Sequence, residues 1–229
     1  VGQRFESSRA RQLKMKNFII ISFLLILIQP SHASENFYDL FMSGQKKEAV
    51  DKLNILVING DQDAKYILGL LYNDASTLNL CDIKDFCVSE NTSNYDKAYE
   101  IFSDLYENEN DPRAAYAIGE YYDNHWVFWP NYKKAFKYYL FAAERGVPEA
   151  QYNVANMYEF GDGVRRDLIQ SVRWYLQCNI ASLCGAGVDG INDLIAQLSK
   201  EDFEYAKSLI VHDMNEVDIR ITASRVIVE

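Results

Sequence analysis

The chain has 229 residues, 48% of them hydrophobic and 24% charged, with a net charge of −10. That acidity argues against nucleic acid as a partner, because such a surface repels phosphates. The length suffices for one domain with a real core.

Met15-Lys16-Asn17 is a short positive segment, followed by the apolar run FIIISFLLILI from Phe18 to Ile28. Ser31 and Ala33 then stand three and one residues before a cleavage point at Ser34. This is the pattern of a secretory signal peptide. The apolar run falls well short of the roughly 20 residues that cross a bilayer. Cleavage is therefore expected, with no stable membrane insertion and a periplasmic or secreted location. Met15 is read as the initiator, residues 1–14 having no signal-like logic. The expected divisions are 1–33 (upstream residues plus signal peptide), 34–212 (a repeat domain) and 213–229 (a tail). Without the five basic residues and one acid of 1–33, 18 basic and 32 acidic residues remain, a net charge near −14.

The four cysteines form two C-x5-C pairs, Cys81 with Cys87 and Cys178 with Cys184. Neither spacing is the C-x-x-C of a redox centre or zinc site, so redox catalysis and metal binding are poor readings. An exported chain with an even cysteine count points to disulfides. Three connectivities are open. The two local bridges are favoured, since each would close a short loop at the end of a helix, contributing about 2–3 kcal/mol.

Internal repetition governs the rest of the chain. AKYILGLLY (Ala64 to Tyr72), AYAIGEYY within Ala114 to Tyr122, and AQYNVANMY (Ala150 to Tyr158) superpose. Gly69, Gly119 and Ala155 match, as do Tyr72, Tyr122 and Tyr158. The small residues let a paired helix approach closely, and the tyrosine packs across the groove. A second helix follows each, from Asn94, Asn131 and Asp167, residues suited to N-caps. Its apolar stripe is Ala98, Ile101, Phe102, Leu105 and again Ala135, Tyr138, Tyr139, Ala142. Gly60, Asn110 and Gly146 stand where left-handed C-terminal caps are wanted. The unit is two helices, and the first copy carries a longer inter-helix loop. Asn192 to Leu209 reads as capping helices, and Val217 to Val228 as either a short strand or a loose tail.

The third copy, AAERGVPEAQYNVANMYEFGDGVRRDLIQSVRWY (Ala142 to Tyr175), resembles the Sel-1-like repeat, a relative of the tetratricopeptide repeat. Its G-x-G-V loop is Gly161-Asp162-Gly163-Val164, followed by the cap Asp167. Gln170 and Ser171 replace the usual Lys-Ala. The resemblance, loosest in the first copy, covers residues 46–180. It implies an all-α fold, a right-handed α-α solenoid of three to four two-helix repeats with a C-terminal capping pair. It also implies a monomeric scaffold, without cofactor or metal, that binds a protein partner on the concave surface of the stack or at the loop of Trp126 and Trp129. A cysteine-rich branch of the family is associated with penicillin binding and weak β-lactamase activity. This chain matches that branch only in part, and it stands as the enzyme alternative.

No catalytic residue is identified. His125 and His212 have no nucleophile or orienting acid at helical spacing. In DNHWVFWPN (Asp123 to Asn131), His125 and Val127 align with Gly161 and Gly163, and Phe128 aligns with Val164. Phe128 is therefore expected to plug the intra-repeat groove. Trp126 and Trp129 align with the polar Asp162 and Arg165. With His125, they either form an exposed partner-binding patch or fold back onto the loop near Cys81 to Cys87.

Overall fold

The computed structural model describes residues 32–89, 92–124, 129–180 and 188–210, with the backbone alone for 32–36, 179–180 and 188–190. The predicted leader up to residue 31, His125, Trp126, Val127, Phe128, Cys184, His212 and the tail lie outside these residues. The chain divides into two compact units, Val1–Leu68 and Gly69–Glu229. In the first, α1 (His32–Met42) packs on α2 (Lys46–Ile58), and α3 (Gln62–Asn73) begins. Phe37, Phe41, Ala49, Val50 and Leu53 are buried there. Helix α1 includes the Ala33–Ser34 junction at which cleavage is expected.

The second unit is a stack of helix pairs. After α3 come a two-stranded hairpin, β1 (Cys87–Ser89) and β2 (Thr92–Ser93), then α4 (Tyr95–Glu109). Next are α5 (Pro112–Asp123), α6 (Tyr132–Ala143), α7 (Pro148–Phe160) and α8 (Leu168–Ile180). Each helix from α4 to α7 packs on the next. The expected capping pair is α9 (Val188–Ile195) and α10 (Lys200–Ser208), both packed against α8. The fold class is all-α solenoid, as the repeats imply.

Local chemistry sets these boundaries. The side chain of Asn94 accepts from the Lys97 amide, Asn131 from Lys134, and Asp167 from Ile169 and Gln170. Each satisfies donors that a helix start leaves without partners. Asn110 has a φ of 55° and Gly146 a φ of 86°, the left-handed turns that end α4 and α6.

The glycines of the first helices sit under rings of the second helices. A Cβ at Gly69 would stand 2.6 Å from the Phe102 ring, and one at Gly119 would stand 2.5 Å from Tyr139. The ring over each glycine thus belongs to the second helix of the pair. Tyr72, Tyr122 and Tyr158 pack instead on Phe86, Tyr138 and Phe136. Gly119 and Ala155 both fall one turn before an acid that receives the hydroxyl of this second-helix ring. Tyr139 donates to Asp123 at 3.3 Å, and Tyr175 donates to Glu159 at 3.1 Å. In the first pair Phe102 has no hydroxyl, and the equivalent Asn73 accepts at 2.7 Å from Tyr121 of the following repeat.

Ser171 occupies the helix position of Ala98 and Ala135, and all three are fully buried. Its hydroxyl lacks a hydrogen-bond partner. A buried unsatisfied hydroxyl costs about 1–3 kcal/mol. Ser171→Ala is therefore expected to stabilise the protein by about 1 kcal/mol. Denaturant unfolding checks this, and a lower midpoint would contradict it.

Candidate functional site

The loops inside the three pairs lie along one edge of the second unit. Their neighbourhood follows from contacts between repeats. Near the start of α4, the Tyr99 hydroxyl lies 3.1 Å from that of Tyr122, at the end of α5. In the next loop, Gly163 lies against the backbone of Tyr132 and Lys133, at the start of α6. The end of α5 therefore meets the start of α4, and the third loop meets the start of α6.

The third loop shows the plain repeat geometry. Helix α7 ends at Gly161, Val164 tucks half-buried against the core, and the Asp167 amide donates to the Tyr158 carbonyl at 2.9 Å. The second loop closes in the same way, the Asn131 amide donating to the Tyr122 carbonyl at 2.8 Å. The first loop is longer and closes differently. Phe86 is buried and stacks on Tyr72, with ring centroids 4.2 Å apart. Its carbonyl accepts from the Asn94 amide at 3.0 Å. A disulfide joins Cys81 to Cys87, and the short hairpin completes the insertion. The loop expected there thus contains two strands. Cys178, buried in the last turns of α8, is also disulfide-bonded; Cys184 lies outside the described residues.

Each loop presents an exposed apolar side chain: Val88 at 65%, Trp129 at 90% and Phe160 at 59%. At the opposite ends of the pairs, the last turn of α4 exposes Glu107 and Glu109, and the turn after α6 exposes Glu144 and Arg145. Among the described residues from the hairpin to α8, the exposed large apolar groups therefore gather on the loop edge; Tyr205, 55% exposed, lies apart on α10. Scattered exposed apolar residues need no explanation, but a row of them on one edge does.

Trp129 stands two residues before the cap Asn131. Of its sequence companions, His125, Trp126 and Phe128 lie outside the described residues. The adjoining surface is aromatic and basic. Tyr122 stacks on Tyr138, and the Lys134 ammonium sits 4.8 Å from the centre of the Tyr122 ring. Helix α6 carries Lys133, Lys134 and Lys137, all exposed, and no acidic residue. Lysines in a first helical turn oppose the helix dipole by about 0.3–1 kcal/mol each.

The strongest pKa perturbations are those of buried phenols. Burial, then Asp123 and Glu120, raise the Tyr139 hydroxyl well above its ordinary range. Burial, then Glu159, act likewise on Tyr175. Burial, then Glu120, raise Tyr121. These groups face the packing between helices. Among the described residues, no group of acids, histidines and cysteines could hold a metal ion. No described helix is long and apolar enough to cross a membrane.

Sequence reasoning passed over the lysine stripe of α6 and the paired tyrosine–carboxylate bonds. The second had a usable signal. Asp123 with Tyr139 and Glu159 with Tyr175 share a separation of 16 and coincide when the repeats are superposed.

Comparison with known proteins agrees with this geometry. The Sel1 repeat model matches residues 112–147 and 148–177, the pairs α5–α6 and α7–α8. No curated protein matches the sequence. One similar solved structure is a Sel1 repeat protein from Oxalobacter formigenes, with a TM-score of 0.55 and 19% identity. The match covers 84% of this chain and 75% of that one. Another is a protective antigen of uropathogenic Escherichia coli strains displaying an SLR fold, with a TM-score of 0.52 and 19% identity. That match covers 82% of this chain but 45% of the antigen, so the chain spans under half of that protein's length. At such identity the likeness concerns the fold. Residues 112–177 of this chain are two consecutive Sel1 repeats.

Proposed function

We propose that the protein is an exported interaction scaffold that holds a protein partner on its loop edge. The observation that carries this reading is Trp129, which is 90% exposed two residues before the helix cap Asn131. Sel1 repeats generally mediate protein binding. Stacked helix pairs offer an extended surface at little cost in ordering. Tryptophans held in this way are frequent binding hot spots.

Trp129→Ala is expected to weaken partner capture from envelope extract while leaving the melting temperature unchanged. Loss of a hot-spot tryptophan typically costs about 2 kcal/mol, or roughly thirtyfold in affinity. A large fall in melting temperature with capture intact would contradict the proposal. Export rests on residues 15–33. N-terminal sequencing of protein recovered outside the cytoplasm is expected to begin at Ser34, and a retained Met15 would refute it.

A further inference from the structure

We propose that the partner segment bound beside Trp129 is a short acidic peptide with an apolar anchor, an inference that rests on the scaffold reading above. The chain carries 33 acidic and 23 basic residues, yet the surface next to Trp129 has the opposite sign. Lys133, Lys134 and Lys137 lie on one stripe of α6, and no carboxylate on that helix offsets them. Among the described residues none of the three is held in an ion pair. Gly163 brings the neighbouring loop against the Tyr132–Lys133 backbone, so exposed Arg165 and Arg166 add to the same region.

Of the acids near this region, Asp123 at the end of α5 accepts the Tyr139 hydroxyl. Asp162 lies in the same loop as Arg165 and Arg166. Asp167 is engaged with the amides that begin α8, and Glu159 receives the Tyr175 hydroxyl. Lysines at spacings of three and four repel one another, and those in the first turn also oppose the helix dipole. A bound carboxylate segment relieves both effects, while Trp129 supplies the apolar contact.

The overall acidity selects the size of the ligand. Attraction to the patch acts over a Debye length of about 8 Å at physiological salt. A short acidic segment stays within it. A nucleic acid or an anionic membrane extends beyond, over a surface that repels it.

The test uses the full chain and a labelled Asp/Glu peptide with a central Phe-Leu pair, compared with its Asn/Gln counterpart. Fluorescence anisotropy is expected to show saturable binding of the acidic peptide alone, falling with added salt. The triple variant Lys133→Glu, Lys134→Glu, Lys137→Glu is expected to lose about tenfold or more in affinity. Its melting temperature should hold, since glutamates at 133 and 134 suit the first helical turn and offset the lost contact of Lys134 with the Tyr122 ring. Equal binding of the neutral peptide, or unchanged affinity in the triple variant, overturns the proposal. So does preferential binding to phosphatidylglycerol vesicles, or self-association in sedimentation that the triple variant abolishes. A native partner lost on Trp129→Ala but kept by the triple variant leaves the scaffold reading standing and removes the acidic ligand.

Discussion

Gly163→Ala is expected to lower stability by about 3 kcal/mol or more. Gly163 has a φ of 70°, which L side chains rarely adopt, and a Cβ there would overlap the Tyr132 carbonyl and stand 2.7 Å from the Lys133 nitrogen. Both obstacles are backbone, so no rotamer can relieve them. Gly161 is the internal comparison. Its φ is 79°, but its nearest neighbours are at 3.4 Å or beyond. Gly161→Ala is therefore expected to cost only the backbone strain, about 1 kcal/mol. Denaturant unfolding of both variants measures the difference. Equal losses would mean that the loop does not seat on α6 as described.

Alkaline unfolding is expected to be steep. Tyr121, Tyr139 and Tyr175 are all buried, and burial is the leading cause holding each phenol above its ordinary range. The folded chain therefore keeps three protons that the unfolded chain releases as pH passes about 10. Stability from these groups is fully present below that pH and falls as pH rises above it. Each contributes about 1.4 kcal/mol per pH unit, roughly 4 kcal/mol per unit together. With an ordinary stability of 5–15 kcal/mol, such a slope brings the midpoint to about pH 11–14. Tyr139→Phe and Tyr175→Phe should each flatten the slope by about a third, at a cost near neutrality of about 1 kcal/mol for the lost hydrogen bond. A slope untouched by either substitution would show that these phenols do not control the transition.

The sequence disclosed periodic features well and singular ones poorly. Asn94, Asn131 and Asp167 were legible as caps because each recurs at a fixed place before an apolar stripe. Gly69 and Gly119 were legible for the same reason, although the rings that cover them, Phe102 and Tyr139, were read only as part of the apolar stripe. The tyrosine that recurs within the first helix drew attention away from Phe102 and Tyr139. The hairpin beside Cys87 was not legible. Its strands are too short for alternation to register, and the close of that loop depends on Phe86 stacking on Tyr72. Exposure of Trp129 was left open because a loop side chain's packing depends on contacts remote in sequence. The lysine stripe of α6 was present in the letters, but it acquires meaning only once the start of the helix and the seat of Gly163 are known.

The central claim is that the loop edge holds a protein partner, and position-specific photocrosslinking in the native cell tests it most directly. A photoreactive phenylalanine would replace Trp129 in one variant and Tyr205, an exposed aromatic on α10, in another. The account predicts a discrete protein adduct from position 129 and none from position 205. No adduct at 129, or the same adducts from both positions, would contradict it.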